Sequence, residues 1–401
     1  MSTSTPARPA TAGLPNLLPG ETQEDLRSAV HDLLADRCDW RSVLARMETA
    51  QSYDTDTWRV LAADVGCAGL LVPEAHGGAG ASYREMAVVA EEAGRFVAPV
   101  PYLGSAVVAT AALLASGGDD PLVPRLASGD ITAALAVPFA ARPPVPDSGA
   151  DVSLGSDSSL FGSVRVTAAP PGDPSASATL RGTVPGVVDA LPAGILLVPT
   201  DGVPAGLYAV EAGAPGVTMA PVVSLDATRQ LCDLTLDNVP ARLVASGEAA
   251  TLAVRSALTA GCAMLASEQL GMSQRCLEMT ITYLKERYQF ARPVGSFQAL
   301  KHRLADLWVA ITQARAAGAY ATACLADADP DTAVAVALAK AACGDVAVLA
   351  AQECVQLHGG IGFTWDHPAH LYLKRAKTTS IAFGTPDWHR WSLAGMVGLP
   401  R

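Results

Sequence analysis

The residues best suited to chemistry lie together in YLKERYQFARPVGSFQALKHRLADL, from Tyr283 to Leu307. Arg287 and Arg292 bracket Tyr288 and Phe290. Pro293 and Gly295 interrupt a helix, and Ser296 is placed to cap the next, which carries Gln298, Lys301, His302 and Arg303. A helix start beside arginines suits an anion, because free N–H groups and the helix dipole favour negative charge. The same stretch also reads as a solvated helical hairpin with surface arginines. The histidines are less suggestive. His302 and His358 lack a metal-ligand spacing, His367 and His370 stand three apart, and no Ser-His-Asp set can be argued, so no metal is expected.

Composition narrows the function classes. The chain has 401 residues, half of them apolar and 17% charged, with a net charge of -11. It is long enough for two or three domains around a large core. The acidic balance argues against nucleic acid, so an anionic ligand must be met by a local basic cluster. No unbroken apolar run of about 18 residues occurs, so no membrane span is expected. The eight cysteines are scattered without a CxxC and read as small buried hydrophobes in a reducing compartment. Residues 1–20 read as a flexible tail of Ser, Thr, Ala and Pro, and with no basic-then-apolar leader the cytoplasm is the default.

The elements that must position the basic cluster follow from periodicity. Residues 21–129 read as a helical domain. EDLRSAVHDLLADR carries an apolar stripe at helical spacing, TDTWRVLAADVG ends at a glycine, and Ser82 with Glu85 forms a capping box. The loop around Pro73, Gly77, Gly78 and Gly80 is Gly-rich but has neither GxGxxG nor a P-loop lysine. Residues 130–243 are rich in Gly, Pro, Ser, Thr and Val, with short apolar runs between turns. They predict an antiparallel β domain of about six to eight strands, poor in aromatics (Phe139, Phe161 and Tyr208). Residues 244–401 are helical again. One helix of more than about thirty residues, two further long helices and a mixed C-terminal piece predict a four-helix bundle. The fold class is therefore α+β: helical domain, β domain, helical bundle.

In that order the local motifs resemble the acyl-CoA dehydrogenase family over nearly the whole chain. ERYQFARPVGSFQALKHRLADL resembles its flavin-binding helix-turn, QLHGGIGFTWDHPAHLYLKRAK its second C-terminal signature, and PEAHGGAGASYREMAVVAEEAGR its N-terminal motif. The middle domain is similar by texture and by PVVSLDATRQLCDLTLDNVPA. The resemblance implies FAD bound between subunits of a dimer of dimers, an acyl thioester substrate on CoA or a carrier protein, and an electron-accepting flavoprotein as partner. It implies that Arg287, Gln289 and Phe290 hold the diphosphate and adenosine side of FAD. Gln298, Gln356, Gly359 and Gly360 would complete the site, partly from a neighbouring subunit, with Thr385 and Asp387 as further contacts. Fixed cationic donors suit a diphosphate, and paired glycines allow close backbone approach.

The same resemblance exposes two departures. Removing the α proton of an acyl thioester needs a carboxylate opposite the flavin. The family's commonest position for it, just before the Gly-Thr of IAFGTPDWHR, is Phe383; the alternative, early in the long helix, is Gly261. Glu268, in the apolar run AMLASEQLG, lies two turns and about 10 Å beyond Gly261. It reads either as a substitute base, its pKa raised by burial, or as a structural carboxylate paired with an arginine such as Arg275. Glu278 and Glu286 have polar neighbours. In the middle domain, Gly186, Val187 and Val188 replace a Trp-Ile-Thr-like run, and Val137 stands where a carboxylate is expected, which implies an altered acyl pocket. Three functions follow: an FAD-dependent dehydrogenase forming an α,β double bond, a flavin-binding subunit whose sister chain carries the base, or a flavin monooxygenase on the same fold.

Overall fold

The computed structural model describes residues 16–49, 51–144, 165–167, 178–200 and 204–399. Phe161 and most of the tail expected over residues 1–20 lie outside them. The first layer is helical: α1 (Glu21–Arg37), α2 (Trp40–Met47), α3 (Thr55–Arg59), α4 (Tyr83–Arg95), α5 (Thr110–Ala115) and α6 (Leu122–Ala127). Wider helical turns over Val60–Asp64 and Tyr102–Ala109 extend α3 and lead into α5. The α4 capping box forms as expected: Glu85 accepts from the Ser82 amide at 2.8 Å and hydroxyl at 2.6 Å, and Ser82 Oγ accepts from the Arg84 amide.

Among the described residues seven strands then make the sheet: β1 (Ala133–Leu135), β2 (Arg165–Thr167), β3 (Ala178–Val188), β4 (Ile195–Thr200), β5 (Gly206–Glu211), β6 (Val217–Val222) and β7 (Leu231–Ser246). Their order is β1-β4-β5-β7-β3-β2, with β6 also on β7. The antiparallel expectation is corrected at one edge, where β1 runs parallel to β4. The chain leaves β1 into the loop that carries Phe139 and returns through β2 and β3 before reaching β4, so β1 and β4 are not a hairpin and are free to align in parallel.

The bundle follows. Helix α7 (Glu248–Glu286) leads through a two-stranded hairpin, β8 (Tyr288–Gln289) and β9 (Arg292–Pro293), to α8 (Gln298–Ala326). Then come α9 (Thr332–His358), α10 (Ala369–Ile381) and α11 (Pro386–Met396). Helix α7 is apolar on nearly every side because it is surrounded. At its crossing with α4, a Cβ at Gly94 would lie 2.1 Å from the Glu268 carbonyl oxygen, and one at Gly271 1.8 Å from that of Glu91. Only glycine at both places lets the two backbones touch. By length and hydropathy α7 and α9 could each cross a bilayer, but 67% and 56% of their most apolar windows are buried here. One core unites the N-terminal helices, the bundle and one face of the sheet, while a second fills the other face. All eight cysteines are buried, and none forms a disulfide.

One cap differs from expectation. Phe297, not Ser296, occupies the α8 N-cap, and no side chain caps that helix. Ser296 falls in a 3₁₀ turn, with its hydroxyl buried and without a partner.

Candidate active site

The two positions suited to a base face one another. A Cβ on Gly261 would lie 2.7 Å from the Phe383 ring and 3.2 Å from Val108. Phe383 is fully buried, its ring edge-on to Phe139 with centroids 5.4 Å apart. It stands between α10 and α11 at φ +50°, a left-handed conformation that non-glycine residues hold only when their surroundings impose it. Those surroundings are explicit. The Phe383 amide donates to the Phe139 carbonyl at 2.9 Å, and the Phe383 carbonyl accepts from His389 Nε2 at 3.0 Å and lies 3.5 Å from Cys262 Sγ.

Lys340 completes the support. Its buried ammonium donates to the carbonyls of Thr379 at 3.0 Å and of Ser380 and Gly384 at 3.4 Å. These are the end of α10 and the turn into α11, where a cation complements the dipole. Burial lowers its pKa to about 8. Burial, with the nearby Lys340 charge, lowers His389 to about 3. His389 is therefore neutral at ordinary pH, and since a carbonyl only accepts, its proton is on Nε2. Lys340 and His389 were not singled out from the sequence, although a lysine within VALAKAAC is a visible signal.

A cavity of about 570 Å³ opens beside this turn. Its walls are mainly apolar, among them Leu252, Val336, Trp388 and Met396, with Arg255, Thr259, His389 and Ser392 as polar points. The Ser392 hydroxyl is buried without a partner. Among the described lining residues one carboxylate occurs, Asp329, in the α8–α9 connection, where it accepts from the Asp331 amide.

Glu268 does not reach this cavity. Its Oε1 accepts from Arg375 Nε at 2.8 Å and Arg229 Nη1 at 3.2 Å, and its Oε2 from Arg229 Nη2 at 2.6 Å. All three side chains are buried. Burial alone would raise its pKa, but the two guanidinium groups outweigh it and hold the carboxyl down at about 2. The expected raised pKa is thus corrected, as is the expected partner. Arg275 turns instead toward Glu278 at 3.9 Å, and Glu278 is held mainly by Arg95. Arg229, in the loop before β7, comes from far away in sequence, which is why neighbours along α7 did not reveal it.

The basic cluster lies elsewhere. Arg287 is about 26 residues beyond Gly261, roughly 39 Å along α7. At that end, β8 and β9 form a tight hairpin turning through Phe290 and Ala291, both with left-handed φ (+54° and +61°). Such a turn normally takes Asn-Gly, and each non-glycine residue there costs about 1 kcal/mol. Phe290 is 85% exposed, and Arg287, Gln289 and Gln298 are exposed. Among the described residues Arg287 and Arg292 form no ion pair; Arg292 lies over the Phe297 ring at 3.8 Å. The end of α9 belongs to the same region, since His358 stacks on Tyr283 with centroids 4.6 Å apart. Around it Gln356, Gly359 and Gly360 are exposed, and Gly359 and Gly360 have open space where a Cβ would be. Thr385 and Asp387 lie beside the middle of α9: Thr385 caps α11, Asp387 pairs with Arg390 at 2.8 Å, and a Cβ on Gly344 of α9 would touch Pro386. From Gly344 to Gly359 is roughly 22 Å of helix. Unpaired guanidinium, free amides and an open glycine turn fit a dinucleotide diphosphate, but they are separated from the Phe383 turn of the same chain. Among the described residues no group of three or more His, Cys, Asp or Glu could hold a metal ion.

Residues 20–130 match the family model of the acyl-CoA dehydrogenase N-terminal domain, and residues 251–397 that of the C-terminal domain. Over 92% of its length the chain is 33% identical to 95% of acyl-CoA dehydrogenase IpdE2 of Mycobacterium tuberculosis. The chain belongs to the acyl-CoA dehydrogenase family. Two solved structures are similar along almost all of it. One is the ChsE4-ChsE5 complex of M. tuberculosis, with 27% identity, TM-score 0.81, and coverage of 96% of this chain and 100% of that one. The other is a variant of the Tcur3481-Tcur3483 steroid ACAD, with 30% identity, TM-score 0.77, and coverage of 96% and 99%. Membership assigns the chain to the oxidoreductases that act on CH–CH groups.

Proposed function

We propose that the chain is the flavin-binding subunit of a heteromeric acyl-CoA dehydrogenase, in which a sister chain supplies the catalytic carboxylate. The observation that carries this reading is the Gly261–Phe383 contact. Both base positions converge on one point, and an aromatic ring fills it. Glu268 does not replace the base, because it lies away from the cavity and three of its about four acceptor positions are taken by guanidinium groups that hold its carboxyl pKa low. Similarity to two structures whose names join two chains supports the pairing. The steroid ACAD among them supports a bulky, polycyclic acyl thioester as substrate class.

In this reading Arg287, Gln289, Phe290 and Gln298 hold the diphosphate and adenosine side of an FAD whose ring lies in the neighbouring chain's site. Gln356, Gly359 and Gly360 line the same edge. Thr385 and Asp387, at the start of α11 beside the Phe383 turn, act as further contacts to FAD. FAD, when bound, supplies the hydride acceptor for α,β-desaturation. This chain's contribution is to orient it and to exclude water with the exposed Phe290 side chain. The assembly is a dimer of dimers that passes electrons to an electron-accepting flavoprotein.

The test is spectroscopic. The chain is purified alone, and separately after co-expression with a family member that carries glutamate at the position of Gly261 or Phe383. Anaerobic acyl-CoA is expected to bleach the flavin of the mixed complex and not that of the single chain. Bleaching by the single chain would overturn the proposal. In the mixed complex, Arg287→Ala is expected to weaken flavin retention at least about tenfold, as loss of a charge-assisted diphosphate contact implies. Equal flavin content after gel filtration would contradict the assigned role of Arg287.

A further inference from the structure

The Glu268 pair belongs to a larger buried network that joins all three parts of the fold. Arg375 Nη1 donates to Thr228 Oγ1 at 2.7 Å, and its Nε also lies 3.7 Å from Asp226. Asp226 Oδ1 accepts from the Thr228 amide at 2.9 Å and hydroxyl at 2.5 Å, while its Oδ2 faces the Thr378 hydroxyl. Beyond Arg229 stands Asp189, 1% exposed, at the end of β3. Asp189 has φ +54°, and it joins the sheet to the N-terminal helices. Its Oδ2 accepts from the Gly104 amide at 2.8 Å, and its Oδ1 lies 3.1 Å from Tyr53 Oη. The packing leaves no slack, since a Cβ on Gly104 would come within 2.5 Å of the Asp189 Cβ.

Two counts bear on the state of this carboxyl. The first is of charge. The network holds two cations, Arg229 and Arg375, against three carboxyls: Glu268, Asp226 and Asp189. Glu268 is bonded to both guanidinium groups and Asp226 lies against Arg375, so these two are the matched anions. Arg229 turns its fork to Glu268 and meets Asp189 only as a nearby charge. A third anion would be buried and uncompensated. The second count is of protons. Tyr53 Oη also lies 2.9 Å from the Gln230 carbonyl oxygen, which only accepts. The single hydroxyl proton can serve only one of these two oxygens; with it on the nearer Gln230 carbonyl, the Asp189–Tyr53 contact calls for a proton on Asp189 donated to Oη.

We propose that Asp189 is a neutral carboxylic acid in the folded protein, and that the joint it makes between the sheet and the N-terminal helices is pH-sensitive. The groups facing it are all named: Tyr53 ahead of α3, the Gly104 amide, Arg229 and Gln230 ahead of β7, Arg375 on α10 and, behind the arginines, Asp226 and Glu268. Cys232 on β7 faces Tyr53. Burial pushes the Asp189 carboxyl up against the pull of Arg229, in the direction the two counts require. Such a group keeps in the folded state a proton that the unfolded chain releases. Its stabilisation is complete below the unfolded pKa and is lost as pH rises through the folded one. The candidate site is coupled to this joint, because the Phe139 amide donates to the Gly186 carbonyl of the same strand end at 2.9 Å.

Asp189→Asn tests this, since the amide can donate to Tyr53 and accept from Gly104. Melting temperature is measured across pH for the wild type and the variant. D189N is expected to melt with the wild type at the acid end and increasingly above it as pH rises. A variant that melts well below the wild type by the same margin at every pH would overturn the proposal, because the charge would then be needed. If D189N does not fold, infrared spectroscopy of the wild type decides. A protonated-carboxyl band that shifts in Tyr53→Phe is expected, and a band unmoved by Y53F contradicts it.

Discussion

Glu268→Gln is expected to destabilise the protein by about 3–5 kcal/mol, the usual effect of removing one partner from a buried ion pair. The variant leaves Arg229 and Arg375 facing one another in a site buried from solvent. Their remaining acceptors, the Thr228 hydroxyl and Asp226, cannot neutralise both. The wild type should show the same dependence through acid. Glu268 titrates at about 2 when folded against about 4.5 when unfolded. Its stabilisation, of about 3 kcal/mol, is therefore complete above about pH 4.5 and is lost as pH falls toward 2. Urea unfolding of both proteins across that range tests it: the two curves should converge at the acid end and separate above it. A variant as stable as the wild type that lost only flavin bleaching would restore Glu268 as a base and remove the structural role. A second prediction separates charge from packing. Replacing Glu268, Arg229 and Arg375 together by apolar residues of similar volume should recover much of the loss, since a buried triad stabilises little over a well-packed apolar set.

The reach of the sequence differed between fold and site for one physical reason. Helix stripes, the Ser82–Glu85 box and the glycine at the end of α9 are local, and periodicity or short-range hydrogen bonding makes them visible in the chain. The partners of Glu268 are not local: Arg229 is on the far side of a domain boundary and Arg375 three helices later. Burial was legible, because Glu268 sits in an apolar run, but the sign of its pKa shift was not. That sign depends on whether desolvation or a charge partner dominates, and the partner is a tertiary fact. Ser296 failed similarly. It has the right residue type for a cap, but Pro293 and Gly295 tighten the chain into a 3₁₀ turn that hands the N-cap position to Phe297.

Phe383 carries the second large effect. Phe383→Ala is expected to lose about 3–5 kcal/mol, since it empties a fully buried position beside Gly261 and Phe139. The turn is fixed by Lys340 and His389 bonds to backbone carbonyls that the substitution leaves in place, so it has little freedom to collapse into the void. Phe383→Glu restores the residue type that desaturation needs, yet it is expected to leave the single chain unable to bleach its flavin. The new carboxyl would meet Phe139, Val108 and the Gly261 backbone, with Lys340 of the same turn already bound to three carbonyls. Without a charge partner, burial raises its pKa. A group raised in this way favours folding below its folded pKa and opposes it above, so F383E should be closer to wild-type stability at pH 5 than at pH 8. Urea midpoints at the two pH values measure this. An F383E chain equally stable at both, and bleached by acyl-CoA without a partner, would mean that one residue separates it from a self-sufficient dehydrogenase. The proposed dependence on a sister chain rests on the opposite outcome: the ring at Phe383 is one element of a packed apolar turn, and placing a base there requires that the turn be rebuilt around it.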